Sequence, residues 1–390
     1  MSLIGSGFLT IFSFVFLISI VVVIHELGHY WAGRICGVHA EAFSMGFGPT
    51  LLSWRDGQGT VWRIAAFPLG GYVKFLGDAG AASEPDESKL AEIRERMGPD
   101  AGKCYHFKPI WQRAFITAAG PIANFILAIT IFASLSLSLG VNYLEPVVGG
   151  FTENSSAEEA GFQVGDRITA INNQQVDRFR DITSEVSWRP GERLTFQVER
   201  NGETLVLVAA AALTTVEDAY GGERQIARLG IQSNGVALRR SFNPVTAIGY
   251  GMDQTWTVVS MTGRYVSYVM TGRSPPTMLN GPLGIATTAG QTAMTSVEHG
   301  EDAAQSVFLL LVNLVNLAGF LSVGLGLVNL LPIPILDGGH LVYYAYEAVA
   351  RRPLSMKAQA IGFRVGLALV LGMMLVATWN DLNYLLGQIF

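Results

Sequence analysis

A run of apolar residues from Phe8 to Ile24, interrupted only by Thr10, Ser13 and Ser19, leads straight into His25-Glu26-Leu27-Gly28-His29. No other feature constrains the fold as tightly. A segment of this length and polarity forms a helix through a bilayer, because lipid offers its backbone no other hydrogen-bond partner. At ~1.5 Å per residue, His25 lies roughly 25 Å along that helix from Phe8, inside a ~30 Å hydrocarbon core and towards its far face. Ionisable groups at such a depth are costly and are kept for chemistry. His25 and His29 share one helix face, and Glu26 stands ~100° round from His25. Two imidazoles so spaced can bind one Zn²⁺, and the carboxylate beside them can take a proton from water activated there. A pair of merely packed histidines is the weaker reading of three ionisable groups in ligand order. A cleaved leader is also disfavoured, since the run has no basic flank and no small-x-small site before the histidines.

The rest of the chain reads as membrane spans plus a water-soluble part. Half of its 390 residues are hydrophobic and 15% are charged, more apolar than a soluble protein and less so than a pure transporter. Further spans are expected from about Trp111 to Leu139, Ser306 to Leu331 and Ile361 to Trp379. The expected fold is an α-helical polytopic membrane protein of about four transmembrane helices, with a cytosol-side β-hairpin region and one inserted α/β domain. The parts are a first membrane half (1–140), the insert (141–235), an amphipathic helix with connecting loop (236–304) and a second membrane half (305–390). The net charge of −5 carries no nucleic-acid footprint.

Within the first half, Met45-Gly46-Phe47-Gly48-Pro49 and Phe67-Pro68-Leu69-Gly70-Gly71-Tyr72-Val73 flank an alternating strand over Thr60–Ala65. Ordinary turn chemistry explains such glycines equally well. The functional expectation is an open-edged hairpin whose Gly70, Gly71 and Tyr72 receive an extended substrate as an added strand. Ala79–Lys103 reads as a solvated loop with a short helix. The second span carries Gly120-Pro121-Ile122-Ala123-Asn124, where Asn124 faces the bundle interior, as a bridge between helices or as a substrate contact.

The third span ends in Asn329-Leu330-Leu331-Pro332-Ile333-Pro334-Ile335-Leu336-Asp337-Gly338-Gly339-His340. Two prolines beside an intramembrane aspartate break the helix and leave room for a metal. Asp337 is the best third ligand; His340 is a rival, and Glu347 a weaker one beside the Tyr343, Tyr344 and Tyr346 belt.

Within the insert, Leu194–Arg200 and Thr204–Val208 pair across Asn201-Gly202, a strong hairpin signal. Its Ala-Gly-Phe, Gly-Asp-x-Ile and Ile-Asn order resembles a PDZ domain of the bacterial protease type. Such domains bind peptide ends by strand addition, and Val148, Gly149, Gly150 and Phe151 are the expected groove strand; a spacer or size filter is the competing role. Residues 243–272 carry Val245, Ile248, Met252, Trp256 and Val259 at near-helical spacing, as in an interfacial helix.

Arg34, Lys108, Arg113, Arg351, Arg352, Lys357 and Arg364 flank one set of span ends, and the opposite ends lack Lys and Arg. The positive-inside rule therefore places both termini and the insert outside, with 33–110 and 345–360 in the cytoplasm. The two cysteines, Cys36 and Cys104, fall on the reducing side, in agreement.

His-Glu-x-x-His in a span, Gly-Pro-x-x-Asn at Gly120–Asn124 and the complete Asn-x-x-Pro-x-Pro-x-Leu-Asp-Gly at Asn329–Gly338 together resemble the site-2 protease family of intramembrane zinc metalloproteases. The likeness covers nearly the whole chain, and one PDZ-like insert matches its single-PDZ members. The resemblance implies His25, His29 and Asp337 as zinc ligands, Glu26 as general base and Asn329 as a donor to the oxyanion. The implied partners are the lipid bilayer and a single-pass membrane substrate already cut on its outer side by an upstream site-1 protease. The implied location is a bacterial inner membrane. A non-catalytic PDZ scaffold with structural zinc and a metal-ion transporter stand as rival readings.

Overall fold

The computed structural model describes residues 3–78, 87–187, 189, 191–217, 223–271 and 281–389. The chain opens with α1 (Leu3–Ile35), β1 (Ala40–Arg55), β2 (Val61–Phe75), α2 (Glu87–Met97), two short 3-10 turns and α3 (Ile110–Leu139). It continues through β3 (Val141–Leu144), β4 (Val148–Phe151), α4 (Ser156–Glu159), β5 (Arg167–Ile171), β6 (Gln174–Gln175), α5 (Phe179–Ser187), β7 (Arg193–Arg200), β8 (Glu203–Ala210), β9 (Ala212–Glu217), β10 (Glu223–Arg228), β11 (Ile231–Ser233) and β12 (Ala237–Arg240). It closes with α6 (Pro244–Met270), α7 (Pro282–Glu298), α8 (Ala303–Asn329), α9 (Asp337–Ala350) and α10 (Met356–Ile389). Two compact units result: Met1–Leu135 with Pro244–Asp381, and Ser136–Asn243 with Leu382–Phe390.

In the first unit, four helices are long and apolar enough to cross a membrane: Ser6–Ile35, Ile110–Leu139, Ala303–Asn329 and Lys357–Asn383. They coincide with the four expected spans. Large apolar side chains such as Phe8, Ile11, Ile126, Phe308, Val365 and Leu375 face outward on them, as lipid-facing residues do. The bundle interior is filled by Leu17, Val21, Ala128, Phe132, Leu314 and Val323. Helix α6 is amphipathic as expected, but it belongs to this unit and turns its apolar residues outward. Val245, Ile248, Met252 and Trp256 are exposed, whereas Ala247, Gly251, Gln254 and Thr255 are buried. A side chain at Gly251 would meet the Ala133 amide and Cβ of α3.

Helix α7 had no counterpart among the expected elements. Its sequence is rich in Ser, Thr and small residues and lacks an apolar stripe. It packs through Ala289, Gly290 and Ala293, and a side chain at Gly290 would collide with Thr10 of α1. Close approach of small residues replaces hydrophobic periodicity.

Strands β1 and β2 form one curled antiparallel pair rather than a simple hairpin. Gly46 (φ 93°), Gly48 (φ 88°) and Gly70 (φ 136°) bend it with backbone conformations that other residues resist. The Ala42–Met45 stretch is consequently partnered twice, by Val61–Ile64 and by Gly71–Lys74. Of the expected Ala79–Lys103 loop, α2 supplies the short helix, and residues 79–86 lie outside the described residues.

The second unit is a small β-rich domain with sheet order β6-β5-β7-β8, the pairs β4–β11, β3–β12 and β9–β10, and helices α4 and α5. Its core is Val148, Phe162, Ile168, Ile171, Ile182, Leu194, Phe196 and Val198. Asn201 (φ 52°) and Gly202 (φ 84°) make the two-residue turn between β7 and β8, with Arg200 opposite Glu203.

Asp166 is almost fully enclosed and accepts from Arg200 Nε and Nη2, both at 2.7 Å, and from the Gln163 amide at 2.8 Å. Burial pushes its carboxyl up, but the Arg200 guanidinium and the Gln163 amide outweigh that and hold it below the ordinary range. The native value is thus lower than the unfolded value of about 3.9, so the pair stabilises fully above that pH and fades as pH falls through the native value. We expect Arg200→Gln to destabilise this unit at neutral pH, because it strips the enclosed Asp166 carboxylate of its cation. The deficit relative to the parent should shrink as pH falls below the unfolded carboxyl value of about 3.9, as read by hydrogen exchange of the β5 and β7 amides.

Candidate metal centre

Helices α1 and α3 cross at unusually short range. A side chain at Gly28 would collide with the Ala119 carbonyl oxygen, and one at Gly120 with His29 Nε2. Two absent side chains therefore set the depth of the crossing and leave the imidazoles the space between the helices. His25 is buried, with 6% of its surface exposed.

The ligand atoms converge. His25 Nε2 lies 3.2 Å from His29 Nε2 and 3.2 Å from Asp337 Oδ2, and His29 Nε2 lies 3.4 Å from the same oxygen. A tetrahedral zinc with ligands at ~2.0–2.1 Å requires ligand–ligand edges of about 3.3–3.4 Å. The three atoms match one face of that tetrahedron, and Asp337 Oδ2 is buried without a hydrogen-bond donor. Among the described residues, these three form the group able to hold a metal ion.

Outer partners set the imidazoles. His29 Nδ1 lies 2.8 Å from the Ile116 carbonyl oxygen, so Nδ1–H donates and Nε2 keeps its lone pair for the metal. Pro121, inside α3, leaves the Thr117 carbonyl without its helical donor. For His25 the corresponding partner is Asn124, wholly buried, whose amide nitrogen lies 3.2 Å from Nδ1 while its Oδ1 has no partner. With Nε2 on a metal, His25 carries its proton on Nδ1, and a half-turn of the Asn124 amide brings Oδ1 round to accept it. Asn124 is in turn fixed by Ser322 Oγ, which donates to its main-chain oxygen at 2.9 Å.

Asp337 is the first residue of α9. Side chains at Gly338 and Gly339 would collide with the carbonyl oxygens of Leu330, Leu331 and Ile333, so the broken end of α8 wraps directly around the first turn of α9. Helix α9 is tied to α3 through Arg113, which donates to Glu347 at 2.7 Å and lies over the Tyr344 ring. The Tyr105 hydroxyl bridges Thr117 (2.9 Å) and Tyr344 (2.7 Å). Glu347 is therefore an inter-helix ion-pair partner, not a ligand. His340 lines the cavity outside the ligand group.

The cavity of about 220 Å³ over this triad is walled by Glu26, Gly71, Tyr72, Val73, Asn329 and His340, with Tyr105, Thr117 and Tyr344 at one side. Gly71 permits the approach, since a side chain there would meet the Ser44 carbonyl at 2.8 Å and Glu26 Cγ at 3.2 Å. Gly70 bends the strand and packs on Phe47 without reaching the cavity. Val73 shares the cavity wall with Glu26. The Tyr105–Thr117–Tyr344 cluster gave no sequence signal, because a lone Tyr after an irregular loop and a Thr inside a span resemble packing residues.

In the second unit, a cavity of about 350 Å³ lies between β11 and α5, lined by Thr152, Ile182, Val186, Leu229, Gly230 and Gln232. Val148, Gly149, Gly150 and Phe151 do not line it. Their strand, β4, pairs with β11, a short strand without an alternating pattern to announce it.

Comparison with known proteins gives a consistent result. The profile of peptidase family M50 matches residues 13–373. Metalloprotease MmpA of Caulobacter vibrioides is 45% identical over 97% of this chain and 96% of its own length. Proteins named as zinc metalloproteases in Agrobacterium fabrum (42% identity, 98% of each chain) and Rhizobium meliloti (40%, 97% of each) are similar along their whole lengths.

Substitutions at two positions probe the centre. Gly120→Ala should leave the purified protein without zinc by elemental analysis, because its methyl occupies the space of the His29 ring. Asn124→Leu should weaken zinc about 10- to 100-fold in chelator competition, whereas Asn124→Asp, which still accepts from Nδ1–H, should retain it.

Proposed function

The chain belongs to peptidase family M50, and from that membership we propose that it cuts single-pass membrane proteins within or near their transmembrane segment, after a prior cut on their outer side. It is a zinc metalloprotease and a multi-pass membrane protein; the proposal concerns where it acts and on what. The observation that carries the reading is the position of Glu26, between the ligand triad and the outer edge of β2. Among the described residues, no strand pairs with Gly71–Phe75 on the side away from β1. Gly71, Tyr72 and Val73 of that strand line the cavity together with Glu26, and a side chain at Gly71 would meet Glu26 Cγ at 3.2 Å.

Zinc held by His25, His29 and Asp337 supplies Lewis acidity towards water and a peptide carbonyl. Glu26 takes the proton of the attacking water and delivers it to the leaving amine nitrogen. Asn329 lines the cavity wall, and we assign it as the donor to the developing oxyanion. A helical substrate has its carbonyls tied in hydrogen bonds and must be unwound locally. Pairing with Gly71–Val73 stabilises the extended form beside the Glu26 carboxylate.

The charge asymmetry of the span ends supports a cytoplasmic position for the β1–β2 region and an outer position for the inserted unit. The β11–α5 cavity supports a PDZ-like role for that unit, in which it receives peptide ends or filters substrates by size. Anti-sigma factors and signal-peptide remnants fit the substrate class. The scaffold reading loses ground because a structural zinc site is closed by four protein ligands and needs no proton acceptor. The transporter reading needs a polar path with several clusters, and the described residues hold one metal-ligand group.

Glu26→Gln should lower turnover about 10²- to 10⁴-fold with zinc content unchanged, and cells carrying it should accumulate membrane fragments whose mass spectra identify the substrate. Val73→Pro removes a backbone donor from this strand. It should abolish cleavage of a membrane-helix substrate while zinc stays bound; full cleavage would count against strand addition.

A further inference from the structure

A further cavity, of about 530 Å³ and open to the surface, lies at the end of α1 and the tip of the β1–β2 pair and shares no lining residue with the cavity over the metal centre. Its lining is Tyr30, Trp31, Trp54, Trp62, Asp56 and the short turn Gly57-Gln58. Four aromatic rings and a single charged group, which is negative, make an unusual lining. Trp62 meets Tyr30 edge-on at 5.3 Å and stacks with Trp54 at 6.1 Å, while Trp31 packs edge-on against Tyr30 at 5.7 Å. Trp31 and Trp54 remain 61% and 43% exposed, large values for indoles with this much neighbouring aromatic surface.

We propose that this cavity binds the quaternary ammonium of a phosphocholine-type lipid headgroup. Aromatic faces attract cations, tryptophan most strongly, and such walls are the usual receptors of methylated ammonium groups. Asp56 supplies the negative charge. Its Oδ1 accepts the amides of Gln58 and Thr60, both at 2.9 Å, and its Oδ2 accepts the Tyr30 hydroxyl at 3.2 Å and the Trp62 indole N–H at 3.0 Å. Burial pushes this carboxyl up, but the four donors prevail and keep it ionised.

The same four bonds decide which cation fits. They fill the lone-pair positions of the carboxylate. A primary ammonium entering the cavity would surrender hydrogen bonds to water and find none at Asp56 in return. A trimethylated ammonium has no N–H to satisfy and needs only the charge and the ring faces. Location favours a lipid over a free amine. Tyr30 and Trp31 sit within the last six residues of the first span, Ser6–Ile35, the part of a span where Trp and Tyr meet headgroups. Arg34 follows Tyr30 by four residues on the same helix face, where a guanidinium suits the phosphate of a zwitterionic headgroup.

The test uses the full chain in a maltoside detergent, titrated below micelle formation with dihexanoyl phosphatidylcholine, phosphatidylethanolamine or phosphatidylglycerol and followed by tryptophan fluorescence. The choline lipid should saturate roughly tenfold more tightly than the ethanolamine lipid, and the glycerol lipid should give no saturable change. Trp54→Ala should weaken the choline lipid roughly tenfold and Trp54→Phe by less, both with near-UV circular dichroism showing a folded chain. Equal affinity for the ethanolamine lipid, or unchanged choline-lipid affinity in a folded Trp54→Ala or Trp54→Phe protein, would overturn the proposal. Choline chloride binding as tightly as the lipid would overturn the lipid assignment in favour of a soluble amine.

Discussion

The crossing of the first two spans at bare backbone is the contact on which the rest depends. Gly28 against Ala119, and Gly120 against the imidazole of His29, bring α1 and α3 closer than ordinary side chains allow. Lipid supplies no hydrophobic push between helices, so such crossings are held by close packing and by hydrogen bonds between helices. Both are present. The Ile116 carbonyl and the Asn124 side chain reach the two histidines from the facing helix. A wider crossing would lose these bonds and strand polar nitrogen in an apolar interior, at a cost of the order of 1–3 kcal/mol for each unpaired group.

The carboxylate reaches the same point by a different device. Helix α8 ends at Asn329, and a short Pro-rich turn reverses into α9, whose first residue is Asp337. The glycine pair after Asp337 lets the turn close over the new helix. The Tyr105, Thr117 and Tyr344 hydroxyls, with Arg113 and Glu347, then fix α9 against α3. Small errors in this docking would move Oδ2 out of the ~3.3 Å triangle that zinc requires. The ion pair and hydroxyl cluster thus serve the chemistry without touching the ligands.

Much of this was legible in the chain itself. The four spans were, because twenty-odd apolar residues in lipid leave the backbone no alternative to a helix. The ligand motif was, because i and i+4 share a face whatever surrounds them. The Asn201-Gly202 hairpin was, because its turn geometry is local. Elements without a periodic apolar signature were not. Helix α7 packs through Ala and Gly, and β11 is three residues long. The expected groove strand, β4, pairs with β11, and the cavity of this unit lies beside β11 and α5 instead of along Val148–Phe151. Glu347 is drawn away by Arg113, a partner 234 residues distant in sequence.

By itself, then, the sequence determined what is governed by neighbours along the chain: membrane helices, the spacing of two histidines and a glutamate, the break before Asp337, and a small inserted domain. Only the tertiary structure decided which carboxylate meets those histidines, which tautomer each imidazole must hold, and that the edge of β2 faces Glu26. These are distances between segments remote in sequence. They depend on how close two helices approach, and on a lipid-embedded crossing that closeness follows from side chains that are absent as much as from those present.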